Sequence, residues 1–457
     1  MLLTTQAIHD ALERYQRLES GWSWDLAYYN QWCWALTHGN QQITVRPIAD
    51  YATEGPSVWK TNYLAPIRYA ILPIYYFWPD PKTLLIIHAI IFWWAVPAAF
   101  ALARFETRSN LAALIAVALV AITPFLLPLA ANDFRELQLG IPFFIVAAYG
   151  VRARRIPLAI LGVAGLLACR QEFALAVASL AILPPRAPQS ILDRQRWAAS
   201  LWFAGLAWVL VVFFGYLVVQ NGWGTPAEYL GQFIRPRPAL WQFLLTALEI
   251  WILGLGAWAP LALASPRAFL LSLPWLWSLA GGRWGMHLLA TTSWHHVRYA
   301  GPFVATSLAA GILGGARLWR FASLLPNPNA WRAAATILAV TATVWARQNI
   351  ESRLDAVPAP FSQTEVSQIW NAISKVGPND AVLAHYDLAA PLSSRDVLLS
   401  YVMKQNQPKG FPDNLPEQIR WVFFLDDHIK PETLLKQGFI EIYSGQRAHV
   451  FARPEAS

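Results

Sequence analysis

Apolar runs of membrane length recur along this chain, at about 83–104, 110–130, 137–151, 197–219, 243–264, 267–280, 299–316 and 331–348. Inside hydrocarbon a backbone must satisfy its own amides, so runs of this kind fold as helices. The stretch 156–184 belongs to the series but is interrupted midway by Arg170-Gln171-Glu172. Its ~28 residues would make a helix of ~42 Å, longer than the ~30 Å hydrocarbon thickness. Arginines flank both ends: Arg152, Arg154 and Arg155 before it, Arg186, Arg194 and Arg196 after it. With both ends on one side, the stretch crosses an even number of times. It reads as two short helices whose charged tip stays below the outer surface, within a protein-lined cavity.

Composition agrees with this class. Of 457 residues, 56% are hydrophobic and 14% charged, against roughly 25% charged in an ordinary soluble domain. Many of the 24 Trp, among them Trp22, Trp24, Trp32, Trp34, Trp59, Trp78, Trp93 and Trp94, fall where an interfacial belt needs them. A formal charge of +8 comes from arginines scattered in short loops, a pattern of membrane orientation and not of nucleic-acid binding. Cys33 and Cys169 have no ligand-like spacing.

The positive-inside rule puts Arg104, Arg108, Arg267, Arg317 and Arg320 in the cytoplasm. The outer loops are then 1–82, 131–136, 221–242 and 282–298, with the whole tail after about 350. The apolar segment 56–78, broken by Pro56, Pro66 and Pro73, reads as a juxtamembrane helix, since a span there would invert every later loop. Residues 1–20 hold neither a span nor a signal peptide. An outer location for 1–82 therefore predicts a first transmembrane helix upstream of Met1. The expected fold is an α-helical polytopic membrane protein of about ten spans. It comprises an extracytoplasmic loop (1–82), a transmembrane helical domain (83–350) and a small extracytoplasmic α/β domain (355–457). Localisation follows: a multi-pass protein of a bacterial-type inner (cell) membrane.

Two regions ask for more than a topology. Gly21–Gly39 predicts a short Trp-rich helix at the bilayer surface, with Ser23 as N-cap and Gly39 at its end. Its one carboxylate, Asp25, is flanked by aromatics. In the tail, Val382–Ala384, Val397–Leu399, Trp421–Leu425 and His449–Phe451 read as strands, alternating with helices over 362–375 and 431–437. Asp387, Arg395, Asp426 and Asp427 lie at strand ends there, where surface solvation and turn formation explain them better than a ligand does.

With these residues in place, the chain resembles the DUF2079 family of predicted membrane proteins. The N-terminal signature is Asp25-Leu26-Ala27, Asn30-Gln31, Trp34, Leu36 and His38-Gly39. Leu64-Ala65-Pro66, Asn132-Asp133-Phe134-Arg135, Arg170-Gln171-Glu172, His296 with Tyr299, Pro378–Val382 and Leu392–Arg395 follow in order. One departure is Thr61-Asn62-Tyr63, where family members often carry a His-containing segment; no imidazole role carries over.

The family's topology is in turn similar to that of the GT-C membrane glycosyltransferases, which use polyprenyl-phosphate sugars. This second likeness rests on loop order and residue type. It implies that an acid on the first outer loop serves the chemistry, a place that Asp25 occupies, with Asp133 on the next. Phosphate leaves a sugar readily once its charge is stabilised, so Arg135, Arg170, Arg298 and the His295-His296 pair are candidate cationic donors. The acceptor hydroxyl needs a base, assigned to Asp25, and inversion by single displacement follows. Asp133 would orient the acceptor, assist Asp25 or help hold a divalent metal; Glu136 and Glu172 complete the candidate substrate-binding set.

Plainer readings stand beside these. Asp25 caps its helix, Asp133–Glu136 forms a wet loop, Arg170 and Glu172 brace a hairpin, and His295, His296 and Arg298 anchor the interface. The partners expected are a polyprenyl-phosphate sugar and membrane lipids, without nucleic acid. The alternative function is a non-enzymatic multi-span transporter or lipid-binding membrane protein. Absence of a clear internal repeat favours the enzyme.

Overall fold

The computed structural model describes residues 1–19, 23–40, 42–45, 57–59, 64–186, 190–218, 240–281, 298–354, 359–401, 414–425 and 431–454. The chain divides into two compact units. One contains Met1–Ala7, Asn62–Arg68 and His88–Val357; the other contains Ile8–Thr61, Tyr69–Ile87 and Pro358–Ser457.

The first unit is helical. In chain order its helices include α5 (Ala95–Thr107), α6 (Asn110–Ala121), α7 (Leu126–Ala130), α8 (Glu136–Ala153), α9 (Ile156–Cys169), α10 (Phe173–Ser179) and α11 (Ile191–Leu210). They continue with α12 (Leu240–Leu255), α13 (Trp258–Leu263), α14 (Pro266–Phe269), α15 (Leu273–Gly281), α16 (Gly301–Ala322) and α17 (Pro328–Leu354). Helix α8 is the central strut, packed on α5, α9 and α16. Small residues permit this: a methyl group added at Gly162 of α9 would collide with the Ala147 backbone of α8. Outward faces are apolar, with Leu111, Leu114, Ile160, Leu161, Phe203 and Leu338 all exposed. Such a surface suits lipid and not water.

The expected hairpin over 156–184 is present. Helix α9 runs to Cys169, Arg170-Gln171-Glu172 makes the turn, and α10 continues into a 3-10 turn at Leu180–Ile182. The second arm is the shorter. Other runs are less continuous than their hydropathy predicts. The run 110–130 breaks where Pro124 withdraws an amide between α6 and α7. The run 243–264 breaks at Gly256, whose φ of +58° turns the chain against Thr343. Among the described residues, one helical stretch, Pro81–Thr107, is long and apolar enough to cross a membrane. Shorter apolar helices span Asn110–Ala121, Ile156–Cys169, Phe173–Ile182 and Leu240–Leu255.

The second unit combines α2 (Ser23–Thr37) with a five-stranded sheet from the tail. The strands are β1 (Ala381–His385), β2 (Leu398–Tyr401), β3 (Ile419–Leu425), β4 (Ile440–Ser444) and β5 (Ala448–Ala452), in the order β2-β1-β3-β5-β4. Strand β1 is parallel to β2 and β3, whereas β5 is antiparallel to β3 and β4. Leu383, Leu399, Val422, Phe424, Leu434, Phe439 and Phe451 build one core. Helices α18 (Gln363–Ile373) and α19 (Pro431–Lys436) fall where the sequence predicts them; β4 is an element that sequence reading misses. Ser362 caps α18 by accepting from the Glu365 amide at 3.3 Å.

Helix α2 is described over Ser23–Thr37, and 20–22 lie outside the described residues. Gly39, at φ +77°, ends it as expected. One side of it packs against protein. Leu26, Ala27, Asn30, Gln31, Trp32, Cys33 and Ala35 are all buried, and Trp32 Nε1 donates to the Val58 carbonyl at 2.9 Å. Of the expected belt, Trp59, Trp78 and Trp94 are exposed. The last turn of α3 (Ile67–Phe77) also turns Tyr76 and Phe77 outward.

Asp380 ties the turn before β1 to β3. Its carboxylate accepts from the Gly377 amide (2.8 Å) and Trp421 Nε1 (2.9 Å), and pairs with Arg420 at 3.4 Å. Burial pushes its pKa up, but these donors outweigh burial and hold it below the usual range. Stability from the charged form is therefore present above the unfolded carboxyl's pKa of about 3.9 and lost as pH falls through the lower folded value. Acid titration of Trp fluorescence should show a loss of native signal in that window that Asp380→Asn flattens.

Candidate functional site

The first unit brings three of the signature segments together. The chain from Leu64 to Arg68 meets the turn at 170–172, because the Leu64 amide donates to Gln171 Oε1 at 3.0 Å. Arg68, the second residue of α3, reaches Glu136 in the first turn of α8, and the two form a buried ion pair. Their side chains are 3% and 0% exposed. Arg135 precedes α8 in extended conformation (φ −150°, ψ 126°), which turns Asn132–Arg135 back over the helix start. Asn132 Oδ1 accepts from the Asp133 amide at 2.8 Å, closing that loop.

Opposite, Arg170 Nε pairs with Glu172 at 3.0 Å, both almost fully buried. The extended backbone of Arg170 ends α9 and lets Phe173 start α10, with Phe173 N bonded to Arg170 O at 3.1 Å. Phe173 in turn lies over Gly140 of α8, where any side chain would strike its ring. Cys169 lies near Glu136. A fourth segment contributes His88 of α4 (Pro81–Phe92), whose ring makes edge contacts with Phe92 and Phe134 at 5.9 and 6.1 Å. The Asn132 backbone and the Gln138 side chain also face that ring.

The result is a buried cluster of guanidiniums, carboxylates and amides inside a helical unit with an apolar exterior. Asp133, Arg135, Glu136, Arg170 and Glu172 are placed by the structure within it. Arg68, His88, Gln138 and Gln171 are members that the sequence reading leaves out. Several of its acceptors and donors remain open: Glu136 Oε2, Glu172 Oε2 and Gln171 Nε2 have no hydrogen-bond partner among the described residues. A buried polar atom left this way costs about 1–3 kcal/mol, so the arrangement suits a polar ligand.

His295 and His296 lie outside the described residues. Arg298 starts a single 3-10 turn (Arg298–Ala300) that packs on α8. Asp25 belongs to the second unit, where it is half-buried in the first turn of α2. The rest of its signature has a structural task there. Asn30 Nδ2 donates to Ser393 Oγ and Ser394 Oγ at 2.9 and 3.0 Å, and Tyr75 donates its hydroxyl to Asn30 Oδ1 at 2.7 Å. Gln31 Nε2 donates to Thr44 Oγ1 (2.7 Å) and the Arg395 carbonyl (3.3 Å), while its Oε1 accepts from the Val45 amide. Asn40 Nδ2 donates to Asp396 at 2.7 Å. The signature thus fastens α2 to Leu392–Asp396.

Arg395 is structural as well, donating to the carbonyls of Leu392, Gly377 and Asp380. Burial pushes its pKa down to about 10, against the pull of Asp380. Asp387 accompanies His385 on a turn, and Asp426 and Asp427 lie outside the described residues.

For a divalent ion, the fit in the cluster is poor. Arg68 matches Glu136 and Arg170 matches Glu172, so guanidiniums take up these negative charges. The group of potential ligands that does gather among the described residues is His9, Asp10 and Glu13 of the second unit, with ligand atoms within 4.8 Å. His9 is exposed there and nothing further marks it as a site.

Residues 14–437 match the family described as "Predicted membrane protein (DUF2079)". No curated protein matches in sequence. Among solved structures, ArnT from Cupriavidus metallidurans bound to undecaprenyl phosphate aligns over 99% of this chain and 98% of its own, with TM-score 0.55 and 12% identity. The oligosaccharyltransferase of Archaeoglobus fulgidus, in complex with zinc and sulfate, aligns over 92% of this chain and 67% of its own. There the TM-score is 0.42 and the identity 14%, too slight for inference.

Removing one member of the central ion pair should be worse than removing both charges together. Arg68→Ala strands Glu136 in the interior and should cost about 3–5 kcal/mol. Arg68→Met with Glu136→Gln should recover most of it, as read by thermal unfolding in detergent.

Proposed function

The chain belongs to the DUF2079 family of predicted membrane proteins and shares the fold of ArnT, and from this we propose that it is a GT-C-like membrane glycosyltransferase. It moves a sugar from a polyprenyl-phosphate donor to an acceptor hydroxyl at the extracytoplasmic face. The observation that carries this reading is the buried cluster of Arg68, Asp133, Arg135, Glu136, Arg170 and Glu172 in the helical unit. The undecaprenyl phosphate held by ArnT supports a lipid-phosphate partner.

The chemistry fits the side chains. The acceptor oxygen attacks the anomeric carbon, the bond from that carbon to the phosphate oxygen breaks, and polyprenyl phosphate departs with the electron pair. Arg135, Arg170 and Arg298, with His295 and His296, are the candidate donors for the developing phosphate charge, and burial strengthens Arg135 and Arg170 in that role. Glu136 Oε2 and Glu172 Oε2 are open acceptors for sugar hydroxyls. Asp25 is the proposed base that takes the acceptor proton, and Asp133 the acid that orients the acceptor or assists it. No glycosidase-type proton donor is needed, because phosphate and not an alcohol leaves.

The competing reading, a transporter or lipid-binding protein without chemistry, leaves the paired acids and guanidiniums with a packing role only. Purified protein assayed against a panel of polyprenyl-phosphate sugars decides between them. Transfer should be measurable, and Asp25→Asn should lower its rate by about 10²–10⁴-fold with insertion unchanged. Asp133→Asn and Arg170→Gln should also lower it. Full activity in Asp25→Asn removes the base assignment, and no transfer from any donor removes the enzyme.

A further inference from the structure

At the far end of α8 from the acidic cluster lies a second concentration of charge. The helix is 18 residues long, so the two are separated by about 27 Å along its axis, close to the hydrocarbon thickness of a bilayer. A cavity of about 790 Å³ opens here, lined by Arg104, Arg108, Arg152, Arg154 and Arg186 with a wall that includes Phe105 and Tyr149. Only part of this positive charge is matched. Buried Glu106 pairs with Arg152 at 2.6 Å and with Arg320 at 3.4 Å, and Asp193 pairs with Arg154 at 3.2 Å. Arg104, Arg108 and Arg186 have no carboxylate within ion-pair distance among the described residues.

The backbone presents these cations deliberately. Arg108 and Arg154 end α5 and α8 in the left-handed region, at φ 57° and 56°, positions that glycine fills more readily. Arg186 is fixed over the Phe105 ring at 5.6 Å and donates to the Phe105 carbonyl. Burial lowers its pKa, and Arg320, Arg108 and Arg152 push the same way against Glu106. Beside the Arg154–Asp193 pair, an apolar groove of about 510 Å³ runs between α9 and α11, lined by Ile160, Val163 and Leu167 on one side and Trp197, Leu201 and Ala204 on the other. Guanidiniums next to an apolar groove, one bilayer thickness from the acidic cluster, fit a molecule with an anionic head and an acyl tail.

We propose that this pocket binds the phosphate headgroup of an anionic phospholipid on the arginine-bearing side of the membrane, with an acyl chain along the α9–α11 groove. The site is separate from the sugar-transfer site and does not depend on that reading. Guanidiniums hold phosphate oxygens by paired hydrogen bonds as well as charge, and basic pockets between helices are where such headgroups settle.

The test is binding of fluorescent phosphatidylglycerol to the full-length protein in phosphatidylcholine nanodiscs, alongside fluorescent phosphatidylcholine as control. Phosphatidylglycerol should bind saturably and the control should not. Arg104→Gln with Arg108→Gln, both at exposed positions, should weaken binding by about thirtyfold, from two cations near a membrane surface. Asp25→Asn should leave it unchanged. Equal binding of both lipids overturns the proposal, as does unaltered binding in the double variant. Complete displacement by millimolar glycerol 3-phosphate would show that free phosphate, and not lipid, is the ligand.

Discussion

Charge inside an apolar shell is tolerable only when it is matched, and the Arg68–Glu136 pair is where the helical unit meets that condition. The two side chains are 3% and 0% exposed, so losing either would strand the other's charge in the interior. Around that pair the unit assembles its other polar groups. The Leu64–Arg68 segment is drawn to the start of α8, the 170–172 turn closes on it through Gln171, and Arg170 finds Glu172. Packing follows the same logic in small residues. Gly140 admits Phe173 and Gly162 admits α8, so the helices close tightly around the charges they carry.

Much of this fold is legible in the sequence because hydrocarbon leaves few options. Runs such as 299–316 and 331–348 could only be helices, and α16 and α17 cover them. The 156–184 hairpin followed from three polar residues, two of them charged, in an otherwise apolar stretch and from arginines at both ends. What hydropathy did not convey was where runs break, since Pro124 acts by its missing amide and Gly256 by a left-handed turn against Thr343. The tail's strands were read from their Val, Leu and Phe content, while β4, with Ile440 exposed at the sheet's edge, carries a weaker signal.

The site was legible in its acidic and basic motifs and illegible in its partners. Arg68 is one cation in an aromatic helix, and its carboxylate lies 68 positions downstream, so no spacing could announce it. His88 looks like an ordinary core imidazole until Phe134 and Asn132 come alongside. Around Asp25 the sequence was silent on partners. Its aromatics and amides were read for their relation to the bilayer, and Asn30, Gln31 and Trp34 also bond to the tail. A signature motif can be kept for docking as much as for chemistry.

The bond from Asn30 to Ser393 spans 363 positions, and this has a bearing on biogenesis. The second unit joins segments on either side of the helical unit in sequence, so its amide-bearing helix emerges from the ribosome long before its counterpart exists. Until Ser393–Arg395 are made, Asn30 and Gln31 wait without their native partners. Maturation of that unit thus follows synthesis of the helices that lie between the two segments.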